Sequence, residues 1–325
     1  MQNILELQPN KISTDLTSYN FLLFSDAGLG KTTWAAKMFP ERALILGFEY
    51  GFKGIPGVVG VSVPDYLSLL KYVEQLDTDE ARAMYDTLII DTTTKVAEVI
   101  EEYIMSQYGK NSVGEAKSHG GAYPLINRYY NLAFNRLKAR GYNFVYICHA
   151  KTTEIKKGDE VLYKRYDPKM SDRLAGMIVP EVDYTFFLTL DKEGNRIMVT
   201  DKTLKNDGKQ RTNLPLTMKL DIDTFLEEYR KGILEKADGQ FTSEKAKTTV
   251  IESKETQKDY KELVAEIKLL GKSLQEAGKG KEAIQVVNLN LGQDDNGIQR
   301  TLDMMNQDNV QVLEVILLEL NKLKN

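Results

Sequence analysis

The chain is 325 residues long, 42% apolar and 28% charged, with 43 Lys and Arg against 47 Asp and Glu for a net charge of −4. That length suits two domains or one large α/β core with an appendage. The charge balance excludes an all-over basic surface, so any contact with nucleic acid must come from a local patch. The single cysteine, Cys148, excludes an internal disulfide framework; it lies in an apolar run and reads as a small buried hydrophobe. No run reaches the roughly 18 apolar residues that a membrane span needs, and Met1 to Asn10 lacks a signal-peptide profile. The expectation is a soluble, intracellular protein with no membrane contact.

Residues 1–18 are polar and without periodicity. Phe21-Leu22-Leu23-Phe24 then reads as a buried strand. Ser25-Asp26-Ala27-Gly28-Leu29-Gly30-Lys31-Thr32-Thr33 follows as a glycine-bearing turn, opening a helix with Trp34, Ala35, Ala36 and Met38 that stops at Pro40. Strand, loop and helix in that order are the context that makes a phosphate-binding loop of the G-x-x-x-x-G-K-[ST] type credible. Asp26, Ala27, Gly28, Leu29, Gly30, Lys31, Thr32 and Thr33 are the candidate nucleotide ligands. Gly28 and Gly30 let backbone amides turn inward, and the helix N-terminus adds its partial positive charge. Lys31 would reach the β- and γ-phosphates of ATP, and the Thr32 hydroxyl would hold Mg²⁺. Ser25 stands where the pattern has its first glycine. The plain alternative is a tight turn before an ordinary helix.

Ala43 to Leu46 is a second buried strand, ending at Gly47-Phe48-Glu49-Tyr50-Gly51. Glu49 therefore sits just past a strand end, beside the expected ligand crevice, or is a solvated loop carboxylate. Val58 to Val63 reads as a short third strand, and Tyr66, Leu69, Leu70, Val73 and Leu76 have helical spacing. Within Tyr85 to Asp91, the three apolar residues Leu88, Ile89 and Ile90 end in an aspartate, followed by Thr92, Thr93 and Thr94. Downstream of Lys31, a carboxylate at that place reads as the Walker B position, which binds Mg²⁺; taken alone, the same pattern is equally a strand cap or turn. Val96, Val99, Ile100, Tyr103 and Ile104 give an amphipathic helix.

Gly109 to Gly121 is Gly-rich and mildly basic and reads as a mobile loop; a helix runs from about Tyr123 to Arg140. Asn143 to Cys148 is another buried strand, ending at His149, where a polar side chain can sense a γ-phosphate or serve a purely structural role. Lys151 to Arg173 reads as a polar loop with seven Lys or Arg against five Asp or Glu, and Tyr163 and Tyr166 among them. Cations interleaved with aromatics suit a single-strand binder, and equally a solvated loop. Asp183 to Leu190 and Asn195 to Thr200 flank a four-residue turn as a β-hairpin. A basic stretch (Lys202, Lys205, Lys209, Arg211) leads to a helix from Asp221 to about Lys236. The domain reading is a core over 1–235, a linker over 236–255 and a helical tail over 256–325, with Tyr260 to Leu274, Ala283 to Leu291 and Val310 to Leu323 as its helices.

A strand into a phosphate loop, one ending near Glu49, one ending in Asp91 and one ending at His149 together resemble the RecA-like branch of phosphate-loop ATPases. The resemblance is closest to the short bacteriophage single-strand annealing and recombination ATPases, and covers roughly residues 18–235. It implies a mostly parallel twisted sheet flanked by helices, plus a small helical C-terminal domain. It also implies that Lys31 and Thr32 bind nucleotide and Mg²⁺, that Asp91 is the Walker B carboxylate, that Glu49 activates water and that His149 is the sensor. The loops at 109–121 and 151–173 fall where such proteins contact DNA, which makes Lys110, Lys117, Lys151, Lys156, Lys157, Lys164 and Arg165 candidate DNA ligands. Lys209 and Arg211 fall near where such proteins reach into a neighbour's site. The implied partners are single-stranded DNA, further copies of the chain in a ring or filament, and a single-strand DNA-binding protein; the implied location is the cytoplasm of a bacterial host.

Thr92 after Asp91, in place of Glu, counts against an AAA+ type protein with its base beside the Walker B aspartate. The competing reading is a nucleotide-gated helicase loader or replication accessory module with little hydrolysis of its own. A small-molecule kinase is disfavoured by the lack of a lid arginine cluster, and a GTPase by the lack of an N-K-x-D signature.

Overall fold

The computed structural model describes residues 9–116, 122–246, 259–292, 297–306 and 309–324. The chain divides into two compact units, Met1–Val250 and Ile251–Asn325. In chain order the first unit contains β1 (Ile12–Ser13), β2 (Phe21–Ser25), α1 (Lys31–Met38), β3 (Ala43–Gly47), β4 (Val59–Ser62), α2 (Tyr66–Leu76), α3 (Asp79–Met84), β5 (Thr87–Asp91), α4 (Thr93–Tyr108), α5 (Val113–Ala116) and α6 (Tyr123–Ala139). It continues with β6 (Asn143–Lys157), β7 (Glu160–Pro168), α7 (Asp172–Glu181), β8 (Tyr184–Leu190), β9 (Arg196–Val199), β10 (Thr217–Lys219), α8 (Ile222–Ala237) and β11 (Phe241–Thr242). The second unit holds α9 (Tyr260–Glu276), α10 (Gly280–Leu291) and α11 (Val310–Lys324).

Alternating strands and helices produce a central sheet in the order β10-β9-β8-β2-β6-β5-β3-β4, with β7 paired to β6 outside that path. The pairs from β4 through β8 are parallel, whereas β9 is antiparallel to β8 and β10 antiparallel to β9. Parallel strands are covered on both faces, so they read as unbroken apolar runs, and Phe21 to Phe24 and Leu88 to Ile90 are fully buried. Alternation along each strand divides the core. Leu22, Phe24, Leu88 and Ile90 point to the side packed by Val73, Ile100, Phe134 and Ile178 of α2, α4, α6 and α7. Phe21, Leu23 and Ile89 point to the side packed by Trp34 of α1 and by Phe225 and Tyr229 of α8. The second unit has its own core of Leu263, Ile267, Leu274, Leu313, Ile316 and Leu320. Among the described residues no helix is long and apolar enough to cross a membrane.

Several expectations change. The stretch 151–173 is not a loop: β6 runs on past the sheet to Lys157 and β7 returns along it, Lys151 opposite Asp167 through Lys157 opposite Glu160. Backbone pairing and β-branched Thr152, Thr153 and Ile155 stiffen an arm in which polar residues occupy both faces, and its short apolar run, Val161 to Tyr163, is largely exposed, so no buried face announces it. Part of 109–121 is α5, whose Val113 and Ala116 are buried; 117–121, with Lys117, lies outside the described residues. Residues 236–246, placed in a linker by composition, are held on the first unit: β11 pairs with β1, and Ser13 donates to the Glu244 carbonyl at 2.7 Å. Residues 247–255 lie outside the described residues.

Candidate functional site

The parallel register gathers the site. Ser25 lies opposite His149, Ile147 opposite Asp91, and Asp91 opposite Gly47. The ends of β2, β3 and β5 and the point where β6 leaves the sheet therefore share one edge. At that edge β2 passes into the loop 26–30, and Gly28 and Gly30 adopt φ of 79° and 89°, a left-handed backbone open to glycine and strained for other residues. Gly30 hands the chain to α1, whose first residues are Lys31 and Thr32.

Lys31 is 7% exposed. Its ammonium donates to the Ser25 carbonyl at 3.3 Å, the Ser25 hydroxyl at 3.0 Å and the Asp26 carbonyl at 3.0 Å. The hydroxyl at the first motif position thus gives the lysine an acceptor that glycine lacks. Burial lowers the Lys31 pKa, and the Asp91 charge opposes that shift. Asp91, 3% exposed, accepts from the Thr32 hydroxyl at 2.9 Å. Burial raises its pKa against the pull of Thr32, and Glu49 raises it further.

Glu49 is fixed to the same strand end: its amide donates to the Asp91 carbonyl at 3.1 Å, and the Phe48 amide does so at 2.6 Å. Its Oε1 accepts from the Thr92 hydroxyl at 3.0 Å and lies 3.4 Å from His149 Nε2. The His149 amide donates to Thr94 Oγ1 at 3.3 Å, and its carbonyl accepts from the Lys169 amide at 2.8 Å, where the arm rejoins the core. Lys31, Thr32, Glu49, Asp91 and His149 are brought together. Thr92, Thr94 and Ser25 complete the cluster; the sequence names Ser25 as a motif departure and Thr92 as the residue after Asp91, but assigns none of the three a role in the site.

A side chain that the sequence does not point to at all is Arg196, the first residue of β9. Its Nη2 is 3.4 Å from the Gly28 carbonyl, and its Nη1 would lie 3.4 Å from a Cβ on Gly30. Only the topology brings it there: β8 runs parallel to β2, so the turn into β9 returns beside the phosphate loop.

A family described as AAA domain matches residues 17–212, a span that contains the phosphate loop, Glu49, Asp91 and His149. The chain belongs to the AAA domain family, within the P-loop ATPases. A 25% identical relative is the SPbeta prophage-derived uncharacterized protein YorG of Bacillus subtilis (strain 168), aligned over 99% of this chain and 98% of that protein. The expectation against an AAA+ type protein thus meets a family whose description is AAA domain. The residue behind it stands: Thr92 follows Asp91, and the nearby second carboxylate is Glu49, from β3. AAA domains of the P-loop superfamily work with ATP and Mg²⁺. Among the described residues no three His, Cys, Asp or Glu side chains form a metal cluster. The oxygen pair of Thr32 and Asp91 fits a hard cation shared with phosphates and water, as Mg²⁺ is commonly held.

The other candidates lie elsewhere. Lys110 is exposed after α4. Lys151, Lys156, Lys157, Lys164 and Arg165 are on the arm, where Lys156 pairs with Glu154 at 3.2 Å and Arg165 with Asp167 at 2.8 Å. Lys209 donates to the Val182 carbonyl at 2.5 Å, and Arg211 faces Asp183 at 3.4 Å. Asp183 accepts from the Asn20 amide, just before β2. Both cations therefore sit at the far end of β2 and β8 from the phosphate loop. A role in trans requires that end of one copy to face this edge of another.

Proposed function

We propose that this AAA domain protein is an ATP-hydrolysing DNA recombination protein of the RecA-like kind, acting on single-stranded DNA as a homo-oligomer. The observation that carries the reading is the position of Glu49. It enters from the strand next to the Walker B strand, tied to the Asp91 carbonyl and hydrogen-bonded by Thr92, which is the water-activating arrangement the RecA-like resemblance implies. The prophage origin carried in the name of the 25% identical relative supports a phage setting in a bacterial cytoplasm.

Phosphoryl transfer calls for alignment and charge neutralisation more than for covalent chemistry. Bound Mg²⁺ and triphosphate supply the reacting phosphorus and part of that neutralisation. Lys31 and the amides of the loop would hold the phosphate oxygens, while Thr32 and Asp91 would offer oxygen ligands to the metal. Glu49, with Oε1 engaged by Thr92 and facing His149, leaves Oε2 to orient a water and take its proton. His149 joins the water-activating carboxylate to the root of the β6–β7 arm, so an arm that grips a strand is coupled to the chemistry. Lys209 or Arg211 of a neighbouring copy would complete the charge stabilisation.

A second reading, a nucleotide-gated loader of a helicase with little turnover of its own, is favoured by one observation. The arm carries five cations against four carboxylates between residues 150 and 168, and two of those cations are in ion pairs, a weak electrostatic grip for a phosphate backbone. Measuring ATP turnover with and without single-stranded DNA, together with the mass of the assembly, separates the two. Strong stimulation and a multimer are expected; an unstimulated rate decides for the loader.

A further inference from the structure

We propose that a cleft beside the phosphate loop, walled by α1 and the start of α8 and edged by Arg196, takes the nucleoside end of the nucleotide. The inference deepens the ATP reading of the site and rests on it. Its first support is direction. Glu49, Asp91 and His149 mark the terminal-phosphate end, and β3, β5 and β6, which carry them, all lie on one side of β2. A triphosphate laid across the loop and the start of α1 then leads its nucleoside toward the other side, where β8, β9 and β10 stand.

That side holds a cavity of about 420 Å³ lined by Leu29, Thr33, Lys37, Arg196, Ile222 and Asp223, among others, a size within the usual range for small-molecule sites. Its chemistry suits a base and a sugar. Leu29 and Ile222 offer apolar contact to a ring face, and the planar Arg196 guanidinium can stack on the ring or donate to it. Asp223 is exposed at the second residue of α8 and can accept from an amino group or a ribose hydroxyl. Arg196 touches a carbonyl of the loop, and carbonyls face away from phosphates held by the amides. The arginine therefore lies along the outer rim, at the cleft, and not over the terminal phosphate. The family match ends at residue 212, so the wall formed by α8 lies outside the matched span.

The test compares binding of ATP with binding of inorganic tripolyphosphate, each with Mg²⁺, by calorimetry on the full chain. Arg196→Ala and Asp223→Phe are expected to weaken ATP about tenfold or more while leaving tripolyphosphate within about twofold. Trp34, the chain's one tryptophan and part of the cleft wall, should change its emission with ATP and not with tripolyphosphate. Equal losses of both ligands in Arg196→Ala would make the arginine a brace for the loop and overturn the proposal, as would unchanged ATP affinity in both variants. Lys31→Ala, which should lose both ligands, tests the phosphate site separately. A wild-type chain that binds neither ligand sinks the phosphate site, and the cleft with it.

Discussion

The two ends of the parallel sheet are both dense in charge, and they use it in opposite ways. At the edge where the strands finish, Lys31 and Asp91 are almost wholly buried, and their pKa values move toward the neutral forms, each held in part by the other's charge. At the edge where the strands begin, the ion pairs stay near solvent. Arg136 and Arg140 both reach Asp77 at 2.6 Å, Arg140 also meets Asp79, and Arg42 meets Asp86 at 3.1 Å. Partial burial raises the Asp77 pKa, and the two arginines more than offset it, leaving it below the ordinary value. Exposed pairs of this kind contribute little each, about 0–1 kcal/mol. They staple α2, α3 and α6 without storing energy. A buried pair of opposite charges, each displaced toward neutrality and held by the other, marks the edge where chemistry is done.

Substitutions that remove a buried group at the chemical edge should therefore cost function far more than fold. Lys31→Ala is expected to lower ATP turnover by about 10³-fold and to abolish nucleotide binding, because it removes the donor aimed at the developing charge. Its thermal unfolding should stay near that of the parent; wild-type turnover in this variant would refute the site. Glu49→Gln keeps the shape and the hydrogen bond from Thr92 but loses proton uptake. Turnover should fall by about 10²-fold or more with ATP binding retained, as equilibrium binding would show. Thr92→Val removes a hydrogen bond to a carboxylate worth about 1.5–3 kcal/mol. Because the group acts through Glu49, turnover should drop roughly tenfold with KM unchanged, and Thr92→Ser should restore it. A change in KM alone would mean that Thr92 shapes the nucleotide site instead.

What the sequence discloses about this edge follows from how each part is encoded. The strands into Ser25 and Asp91 are legible because a parallel strand buried on both faces must be a continuous apolar run, and Gly28 and Gly30 because the loop needs left-handed backbone. Glu49 is legible only as a strand-end residue; its distance from Asp91 depends on β3 and β5 lying side by side. Arg196 is silent in sequence, since its approach to Gly28 requires β8 beside β2 and an antiparallel return. The arm hides for the reverse reason: its strands have no buried face, so their alternation carries no apolar signal. Helix α7 hides behind Gly176 and Pro180, residues that usually argue against a helix, although Ser171 caps its start at 3.4 Å from the Leu174 amide.

The smallest expected effect probes the other edge. Lys245 donates to the Gly141 carbonyl at 3.0 Å, and Arg82 donates to the same oxygen at 3.2 Å. Burial, and then the Arg82 charge, push the Lys245 pKa down from 10.5 to about 8. The folded chain thus binds fewer protons than the unfolded chain between about pH 8 and 10.5, so this group makes stability rise as pH increases through that window. Below it, the cation is held at a cost. Lys245→Met should make the first unit more stable at pH 7, with Arg82 still serving the carbonyl. The gain should shrink as pH rises toward 10.5, and the part of the pH slope owed to this group should vanish, with ATP turnover untouched. Denaturant unfolding at pH 7 and pH 10 checks both signs. A loss of stability at pH 7 would show that the hydrogen bond outweighs the burial of the charge. The opening edge would then resemble the chemical one, where a buried cation is kept because its partners outweigh the cost of burying it.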